Sequence, residues 1–356
     1  MMNNIIKYNE VIELLKREYG NQWKEIIQTL GTYDLTHRAG MDLTNFFSFP
    51  ERGEGGNASW RGNCSPKVIE QLLKYVLYRR QKDGYNLNNF TILDPMSGSG
   101  TTKSVADKYG INSVLYDLNP NPAVGKGSWD ALKDDVEDSA DLVFFHPPYH
   151  DMVKYSGNMW GKYNVDDLSQ CPTYNDFIEK LNFCIKKLYM ALRKNGRLAI
   201  LVGDYRKKGE FHSIASDMLK VGDFESFIVK AQHNCISDKV DYGATRNEYP
   251  FIPIVTEYMV VLKKKDSFLV PFSKTIAGVC DIRKCDDVSL TWNHLIRATI
   301  EGNGGKISLQ KLYSLLESHP KSKKNIHWKE RIRATIYEHK NEYISINTGE
   351  YKLKYA

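Results

Sequence analysis

Residues 90–110, FTILDPMSGSGTTKSVADKYG, contain the most informative local pattern of this chain. It opens with the apolar run Phe90–Leu93, which is typical of a short strand buried in a parallel sheet. A glycine-rich turn follows from Asp94 to Gly100, and a helix is predicted from Thr101 to Tyr109. A strand, a glycine turn and a helix in this order predict a unit whose backbone approaches a ligand closely at the turn.

Strands and helices continue to alternate along the chain, which is typical of successive βαβ units. The further predicted strands are Ser113–Tyr116, Asp141–Phe145, Leu198–Val202 and Thr256–Leu262, the last as the return arm of a hairpin. The further predicted helices are residues 5–30 with a break at Gly20-Asn21, a helix opened by Ser65 as N-cap and Pro66 at its first position, and Phe177–Leu192. We therefore expect an α/β fold with a doubly wound, mostly parallel sheet and helices on both faces.

The residues of the glycine turn differ from two common nucleotide-binding motifs. A P-loop ends in Gly-Lys-Ser/Thr, whereas Gly100 is followed here by Thr101-Thr102. A dinucleotide fingerprint needs three glycines in the pattern G-x-G-x-x-G, and only Gly98 and Gly100 are present. A simple tight turn without a ligand is the alternative to a cofactor loop of another kind.

A second motif, His146-Pro147-Pro148-Tyr149, follows directly after the apolar strand that ends at Phe145. With the turn D-P-x-x-G-S-G-T-T it resembles the paired motifs of the S-adenosylmethionine-dependent DNA amino-methyltransferases, which methylate adenine N6 or cytosine N4. The resemblance covers roughly residues 60–265. It implies S-adenosyl-L-methionine as the cofactor and duplex DNA as the partner. It also implies that the expected sheet is the one found in the methyltransferase fold.

The resemblance assigns cofactor contacts to residues of the turn and of three flanking segments. In the turn these are Asp94, Pro95, Ser97, Gly98, Gly100 and Thr101. Asp117, at the end of the next strand, is placed to accept both ribose hydroxyls, although a turn aspartate ahead of Asn119-Pro120 competes with that role. Asp130 corresponds to a residue near the adenine ring. The motif Trp60–Pro66, with Asn63 and Ser65, corresponds to the segment that caps the methionine end of the cofactor.

The resemblance also assigns the catalytic roles. The side chain of the first motif residue and the backbone carbonyl of Pro147 would accept hydrogen bonds from the target amine, and Pro147 and Pro148 would stiffen the tip. Tyr149 would stack on a base swung out of the duplex. The family has Asp, Asn or Ser where this chain has His146, and only a neutral imidazole has a free nitrogen that can accept. This departure leaves open which base is methylated.

Two loops and a basic C-terminal segment are the candidate DNA contacts. Aromatic and basic residues alternate after the catalytic tip, among them Lys154, Tyr155 and Trp160, and Lys207 and Lys208 follow a predicted strand. Residues 291–356 hold 12 Lys and Arg against six Asp and Glu, so this segment carries the whole formal net charge of +6. Its predicted phosphate contacts are Lys321, Lys323, Lys324, Lys329, Arg331 and Arg333. A packed lid, a solvated turn and a solvated basic surface are the respective alternatives.

The chain divides into four predicted parts. These are an N-terminal helical segment and loop over the active face (1–59), a methyltransferase domain (60–265), a linker (266–290) and a basic winged-helix-like module (291–356). The N-terminus has no signal-peptide pattern and no apolar run approaches the roughly 20 residues of a membrane span, so we expect a cytoplasmic protein. The six cysteines form no CxxC pair, so structural thiols are favoured over a metal site.

The resulting functional prediction is a site-specific DNA methyltransferase with adenine N6 as its first target. The alternatives are methylation of cytosine N4, methylation of an RNA base, and a non-catalytic homologue that binds DNA without methyl transfer. Such enzymes work beside a restriction or phage-defence protein or as solitary genome markers, and the sequence does not decide between these settings.

Overall fold

The computed structural model of the chain describes residues 8–24, 26, 44–233, 252–265, 269–271, 279–281 and 290–354. The helices are α1 Tyr8–Tyr19, α2 Pro66–Lys82, α3 Thr101–Lys108, α4 Tyr174–Ala191, α5 Ile214–Asp217, α6 Trp292–Gly302, α7 Leu309–Leu316, α8 Pro320–Lys323 and α9 Trp328–Glu338. Short 3-10 turns lie at Gly20–Gln22, His150–Met152 and Leu168–Gln170.

The strands follow the same chain order. They are β1 Phe46–Phe47, β2 Thr91–Asp94, β3 Asn112–Leu115, β4 Ala140–Phe145, β5 Leu192–Lys207, β6 Glu210–Ser213, β7 Asp223–Ala231, β8 Thr256–Lys263, β9 Leu269–Pro271, β10 Val279–Asp281, β11 Lys306–Ser308, β12 Tyr343–Asn347 and β13 Glu350–Leu353. The main sheet has the order β1-β7-β8-β5-β4-β2-β3, with β6 paired to β5. Strand β8 runs antiparallel to both neighbours, and the pairs β1–β7, β4–β5, β2–β4 and β2–β3 are parallel. The expected mostly parallel α/β sheet is thus confirmed.

The central strands are buried on both faces, as their continuous apolar runs require. Alternate residues of β4 enter two different cores, because successive side chains of a strand point to opposite faces. Leu142 and Phe144 pack in the core under α2 and α3. Val143 and Phe145 pack in the core under α4. Helices therefore cover both faces of the sheet.

Several element boundaries differ from the sequence prediction. Strand β5 begins at Leu192 instead of Leu198 and continues to Lys207, where it forms a hairpin with β6. Strand β8 is the expected return arm of an antiparallel pair, and its partner β7 was not predicted. Ser65 does stand at the N-cap of α2, but its hydroxyl donates to the Arg52 carbonyl and does not cap the helix.

The C-terminal segment contains helices α6 to α9 and a hairpin of β12 and β13. A strand that was not predicted, β11, joins β13 and β12 in a three-stranded antiparallel sheet of order β11-β13-β12. The winged-helix assignment stays a prediction. The predicted linker lies outside the described residues except for the backbone of the small β9–β10 pair and Leu290.

The C-terminal segment packs against the amino-terminal edge of the main sheet. Arg297 of the buried helix α6 donates hydrogen bonds to the carbonyls of Met190, Ala191 and Leu192, where α4 ends and β5 begins. The side-chain amide of Asn293 donates to the Glu137 carbonyl (2.8 Å), just before β4. Apolar side chains of the segment join the same core as those under α4. Within the described ranges, no helix combines the length and apolar character needed to cross a membrane.

Candidate active site

A pocket opens at the carboxyl edge of the sheet, where β2, β3 and β4 end. Ligands of open α/β sheets bind at this edge. The pocket is lined by Trp60, Gly62, Asn63, Cys64, Ile69, Asp94, Pro95, Met96, Ser97, Gly98, Ser99, Thr101, Thr102, Asp117, Leu118, Trp129, Ala131, Phe144, His146, Pro148, Tyr155, Trp160, Asp166, Asp167 and Leu168. The cofactor turn and the catalytic tip predicted from sequence therefore share one cavity.

Two carboxylates fix the shape of the glycine turn. Asp94 accepts hydrogen bonds from the Met96 amide (3.0 Å) and from the Thr102 hydroxyl. Asp117 accepts from the amides of Gly98 (2.8 Å) and Asn119 (2.9 Å). The contact to Asn119 is the turn-aspartate role that competed with ribose binding, and Asp117 nevertheless also lines the pocket.

The two glycines of the turn serve different purposes. Gly98 has a φ of +45°, lines the pocket, and a Cβ there would lie 3.3 Å from Trp60 Nε1. Gly100 has a φ of +81° and does not line the pocket, and a Cβ there would meet Val124 at 3.1 Å. Gly98 therefore forms the pocket wall, whereas Gly100 sets the start of α3.

The pocket is acidic and aromatic. Asp94, Asp117, Asp166 and Asp167 line it together with several aromatic rings, and no Lys or Arg is among the described residues that line it. Burial raises the pKa of Asp94 to about 7, and burial also raises the pKa of Asp117. Because a phosphate needs positive partners, these walls disfavour a polyphosphate and suit a ligand that carries positive charge and an aromatic ring.

Most of the predicted cofactor residues lie on the pocket. Those that line it are Asn63, Asp94, Pro95, Ser97, Gly98, Thr101 and Asp117. Gly100 and Ser65 do not, for the packing and hydrogen-bonding reasons given above. Asp130 lines an adjoining groove with Lys133 and Tyr163, and its carboxylate accepts from the Leu132 amide (2.9 Å).

The predicted catalytic tip is held by a hydrogen-bonded chain that links β4, β8 and β7. His146 Nε2 lies 2.9 Å from the Tyr149 hydroxyl, which donates to Glu257 Oε1 at 2.7 Å. Glu257, on β8, forms an ion pair with Lys230 on the neighbouring β7. Of the four tip residues, His146 and Pro148 line the pocket and Pro147 is buried. The Tyr149 ring packs on Gly203, where a Cβ would lie 2.7 Å from the ring.

Burial and the neighbouring groups determine the ionisation of His146 and Glu257 in this hydrogen-bonded chain. Burial lowers the pKa of His146 and so favours the neutral imidazole. Burial alone would raise the pKa of Glu257, but the neighbouring Lys230 and His146 and the hydrogen bonds from Lys230 and Tyr149 together outweigh burial and hold that pKa below its usual value. The tip therefore contains a neutral histidine beside an ionised carboxylate.

The loop after the tip folds over the pocket. Tyr155 and Trp160, predicted as DNA contacts, line the cavity, and the Tyr155 hydroxyl abuts Gly62. Lys154 is exposed beside them. The packed-lid alternative therefore describes this loop, and its outer side stays available to a partner.

The remaining predicted DNA contacts lie on two edges of the molecule. On the active edge, Lys207 pairs with Asp151 and Lys208 is exposed. On the opposite edge, four of the six predicted cations are exposed: Lys323, Lys324, Lys329 and Arg331. Lys321 is half-buried over the Trp292 ring, and Arg333 donates to the Tyr313 hydroxyl (2.9 Å) and pairs with Glu330.

Sequence reasoning missed several residues of the site. Glu257 and Lys230 carry no local motif, because Glu257 meets Tyr149 across 108 residues of chain. Trp129, Asp166 and Asp167 also line the pocket, and no sequence pattern placed them there. Across the described residues, no group of three or more His, Cys, Asp and Glu side chains is arranged to hold a metal ion.

Comparisons with known proteins give a distant likeness only. No protein-family model and no curated protein matches the sequence. Among solved structures, the chain is similar to a provisionally named hemolysin from Lactococcus lactis (14% identity, 59% of this chain and 90% of that one, TM-score 0.30). It is also similar to a provisionally named class I S-adenosylmethionine-dependent methyltransferase from Listeria monocytogenes (13%, 74% and 76%, 0.31). A third is an S-adenosylmethionine-dependent methyltransferase from Archaeoglobus fulgidus (13%, 56% and 95%, 0.28).

Proposed function

We propose that this protein is an S-adenosylmethionine-dependent methyltransferase that modifies the exocyclic amine of a base in DNA, with adenine N6 as its first target. One observation carries the proposal. The His-Pro-Pro-Tyr tip opens into the same acidic, aromatic pocket as the Asp94–Gly100 turn, and no described lining residue is Lys or Arg. The motif pair, which resembles that of the amino-methyltransferases, thus coincides with one cavity.

The residues present fit the cofactor. S-adenosylmethionine carries a sulfonium and an ammonium group, and the lining carboxylates match these positive charges. Its adenosine part offers a ring that suits an aromatic wall such as Trp60, Trp129 and Trp160. Gly98, the one turn glycine on the pocket wall, leaves room that a side chain would fill. When bound, this cofactor supplies a methyl group activated by the sulfonium.

The protein's own part in the reaction is to orient the amine and to accept hydrogen bonds from its N–H groups. An exocyclic amine is conjugated with its ring and is a poor nucleophile. A neutral His146 nitrogen and the Pro147 carbonyl are hydrogen-bond acceptors that would draw its lone pair out of that conjugation. The prolines and the contacts of Tyr149 hold this tip in place, so its geometry is set before the substrate arrives.

A methyl-transfer assay on DNA tests the proposal. Purified protein is incubated with methyl-labelled S-adenosylmethionine and either mixed-sequence duplex DNA or total RNA, and methylated nucleosides are identified by mass spectrometry. We expect N6-methyldeoxyadenosine from the DNA. His146→Ala and Tyr149→Ala should lower the rate by about 10² or more while cofactor binding is retained, because both lie beyond the cofactor turn.

The outcomes separate the alternatives. N4-methyldeoxycytidine would move the target to the other base of the same class, and a product only from RNA would move it to another nucleic acid. Cofactor binding by calorimetry with no product from either substrate would support a non-catalytic homologue. Parental rates in both variants would contradict the assignment of the tip.

We further propose that the C-terminal segment is a winged-helix-like module that adds DNA affinity. Its exposed cations support this, but its position limits what it can do. It packs before β4, whereas the pocket lies beyond the end of that strand, and the six residues of β4 span about 20 Å. The module would therefore extend the DNA contact and would not complete the pocket.

A further inference from the structure

The hydrogen-bonded chain His146–Tyr149–Glu257–Lys230 determines which nitrogen of His146 carries the proton. A phenol hydroxyl has a single hydrogen. The Tyr149 hydroxyl gives that hydrogen to Glu257, which is ionised beside Lys230 and can only accept. The remaining partner of the hydroxyl, His146 Nε2 at 2.9 Å, must therefore donate to it.

The consequence for the imidazole is a single tautomer. A neutral histidine carries one ring proton, so the proton on Nε2 leaves Nδ1 as a bare acceptor. Nδ1 makes no hydrogen bond to any residue that the structure describes, and the side chain lines the pocket. A bare ring nitrogen of this kind recognises an N–H group and repels a carbonyl oxygen.

The groups around the imidazole are few. Tyr149 comes from the same loop, Glu257 from β8 and Lys230 from β7. The buried Cys64 thiol also lines the pocket, and burial raises its pKa to about 12, so it stays uncharged. Among these described groups, the one whose charge fixes the direction of the Tyr149 hydrogen is Glu257.

We propose that Glu257 is a positioning residue: through Tyr149 it holds His146 as the Nε2–H tautomer, so that Nδ1 accepts from the amine of the substrate. The proposal deepens the methyltransferase function and rests on it for the identity of the substrate amine. Its structural half, the tautomer, stands independently of any activity. Lys230 supports the arrangement because its charge and hydrogen bond lower the pKa of the Glu257 carboxyl.

Glu257→Gln makes a sharp prediction. The Lys230 ammonium can only donate, so it would take the carbonyl oxygen of the new amide and turn the amide NH₂ toward Tyr149. The Tyr149 hydroxyl would then accept from the amide and donate to His146 Nε2, which moves the ring proton to Nδ1. The substitution is expected to invert the tautomer and replace the acceptor by a donor.

The first measurement is the nitrogen NMR spectrum of ¹⁵N-histidine-labelled full-length protein at pH 7. His146 is assigned by the signals lost in His146→Gln. We expect a protonated Nε2 and an unprotonated Nδ1 in the parent, and the reverse in Glu257→Gln. A protonated Nδ1 or an imidazolium in the parent, or an unchanged tautomer in the variant, would overturn the proposal.

The second measurement is methyl-transfer kinetics with a matched control. Glu225→Gln removes a carboxylate of similar burial on the same strand pair: the Glu225 and Glu257 side chains are 14% and 12% exposed, and Glu225 pairs with Arg197 at 2.9 Å. We expect Glu257→Gln to lower kcat about 10²-fold with little change in KM for the cofactor, and Glu225→Gln to keep the parental kcat. Thermal unfolding of both variants shows whether they fold equally well.

The two readouts separate the possible failures. An inverted tautomer with an unchanged kcat would overturn the role of Glu257 in the reaction. The expected tautomers in a parent protein that methylates no nucleic acid would instead contradict the proposed function and leave the positioning role of Glu257 in place. Equal losses of kcat in both variants would assign Glu257 a merely structural role.

Discussion

The two edges of the main sheet differ in charge and in what covers them. The carboxyl edge holds a pocket lined by four aspartates and, among its described residues, by no Lys or Arg. The amino edge is covered by the C-terminal segment, which carries the whole formal net charge of the chain. The basic segment that would suit DNA and the pocket proposed to act on a base are thus about one strand length apart. If the proposed function is right, substitutions at one edge should change DNA affinity and substitutions at the other should change methyl transfer.

The largest effect is expected at the carboxyl edge, from Gly98→Leu. The turn requires a φ of +45° there, and a side chain would press on Trp60 and enter the pocket. We expect S-adenosylmethionine to bind more than tenfold more weakly by calorimetry, which is a loss of at least about 1.4 kcal/mol.

Gly84→Leu is the matched control for that substitution. Gly84 also has a positive φ, +82°, but a Cβ there meets nothing within 4 Å and the residue lies away from the pocket. It should bind the cofactor like the parent. Parental affinity in Gly98→Leu would contradict the assignment of the pocket.

A smaller effect is expected at the amino edge, from Lys323, Lys324 and Lys329 changed together to Gln. All three are exposed on the C-terminal segment. Each lost phosphate contact lowers the log–log salt dependence of DNA binding by about 0.9, so the slope should fall by about 2.7. The rate of a single turnover at saturating DNA should stay parental, because the pocket lies on the other edge.

The same charge change on the active edge is the control. Lys154, Lys207 and Lys208 changed to Gln should lower the turnover rate as well as the slope, because these residues lie beside the pocket. An unchanged slope in the amino-edge variant would show that the C-terminal segment does not hold DNA and would favour a protein partner. Substitutions are preferable to removal of residues 291–356, since that truncation would uncover the core and the carbonyls at residues 190–192.

The smallest effect is expected to be a pH-dependent release of protons from Asp94 when the cofactor binds. Burial raises its pKa to about 7, so at pH 7 about half of the folded molecules carry a protonated Asp94. A cationic ligand favours the ionised form, so cofactor binding should release up to about half a proton at pH 7 and progressively less as the pH rises above 8. Calorimetry in buffers of different ionisation enthalpy measures this release, and Asp94→Asn should lower it. Proton uptake, or the same release in Asp94→Asn, would contradict a positive charge bound near Asp94.

The same raised pKa has a consequence for stability. The folded chain holds the Asp94 proton more tightly than the unfolded chain, so the contribution of this group to the free energy of unfolding is greatest below about pH 4. It falls as the pH rises from about 4 to 7, the folded pKa. Asp94→Asn should lack this dependence in denaturant titrations.

The parts of the fold that the sequence predicts are those with a local signal. The apolar runs around Ile92, Val143 and Ala199 specify strands buried on both faces, and Gly98 and Gly100 specify the turn between strand and helix. Strand β7 was missed because its side chains are mostly half-buried or exposed, so its residues form no continuous apolar run.

The candidate site divides in the same way. Asp94, Gly98 and His146 stand in contiguous motifs and all reach the pocket. Glu257 and Lys230 could not be predicted, because their relation to His146 exists only once β7 and β8 are paired. The position of the C-terminal segment could not be predicted either, because it depends on hydrogen bonds from Arg297 to the carbonyls at the end of α4. Composition gave the charge of that segment but not the edge on which it lies.

The most direct test of the central claim is the modification of DNA in cells that express the protein. Genomic DNA from cells with the parent and with His146→Gln is compared by sequencing that reports modified bases, which gives the base and its sequence context together. We expect N6-methyladenine at a defined sequence in the parent and none at that sequence in the variant. The proposed function would be contradicted if genomic DNA contained no methylated exocyclic amine that is lost in His146→Gln. This outcome counts only in cells whose folded protein binds its cofactor.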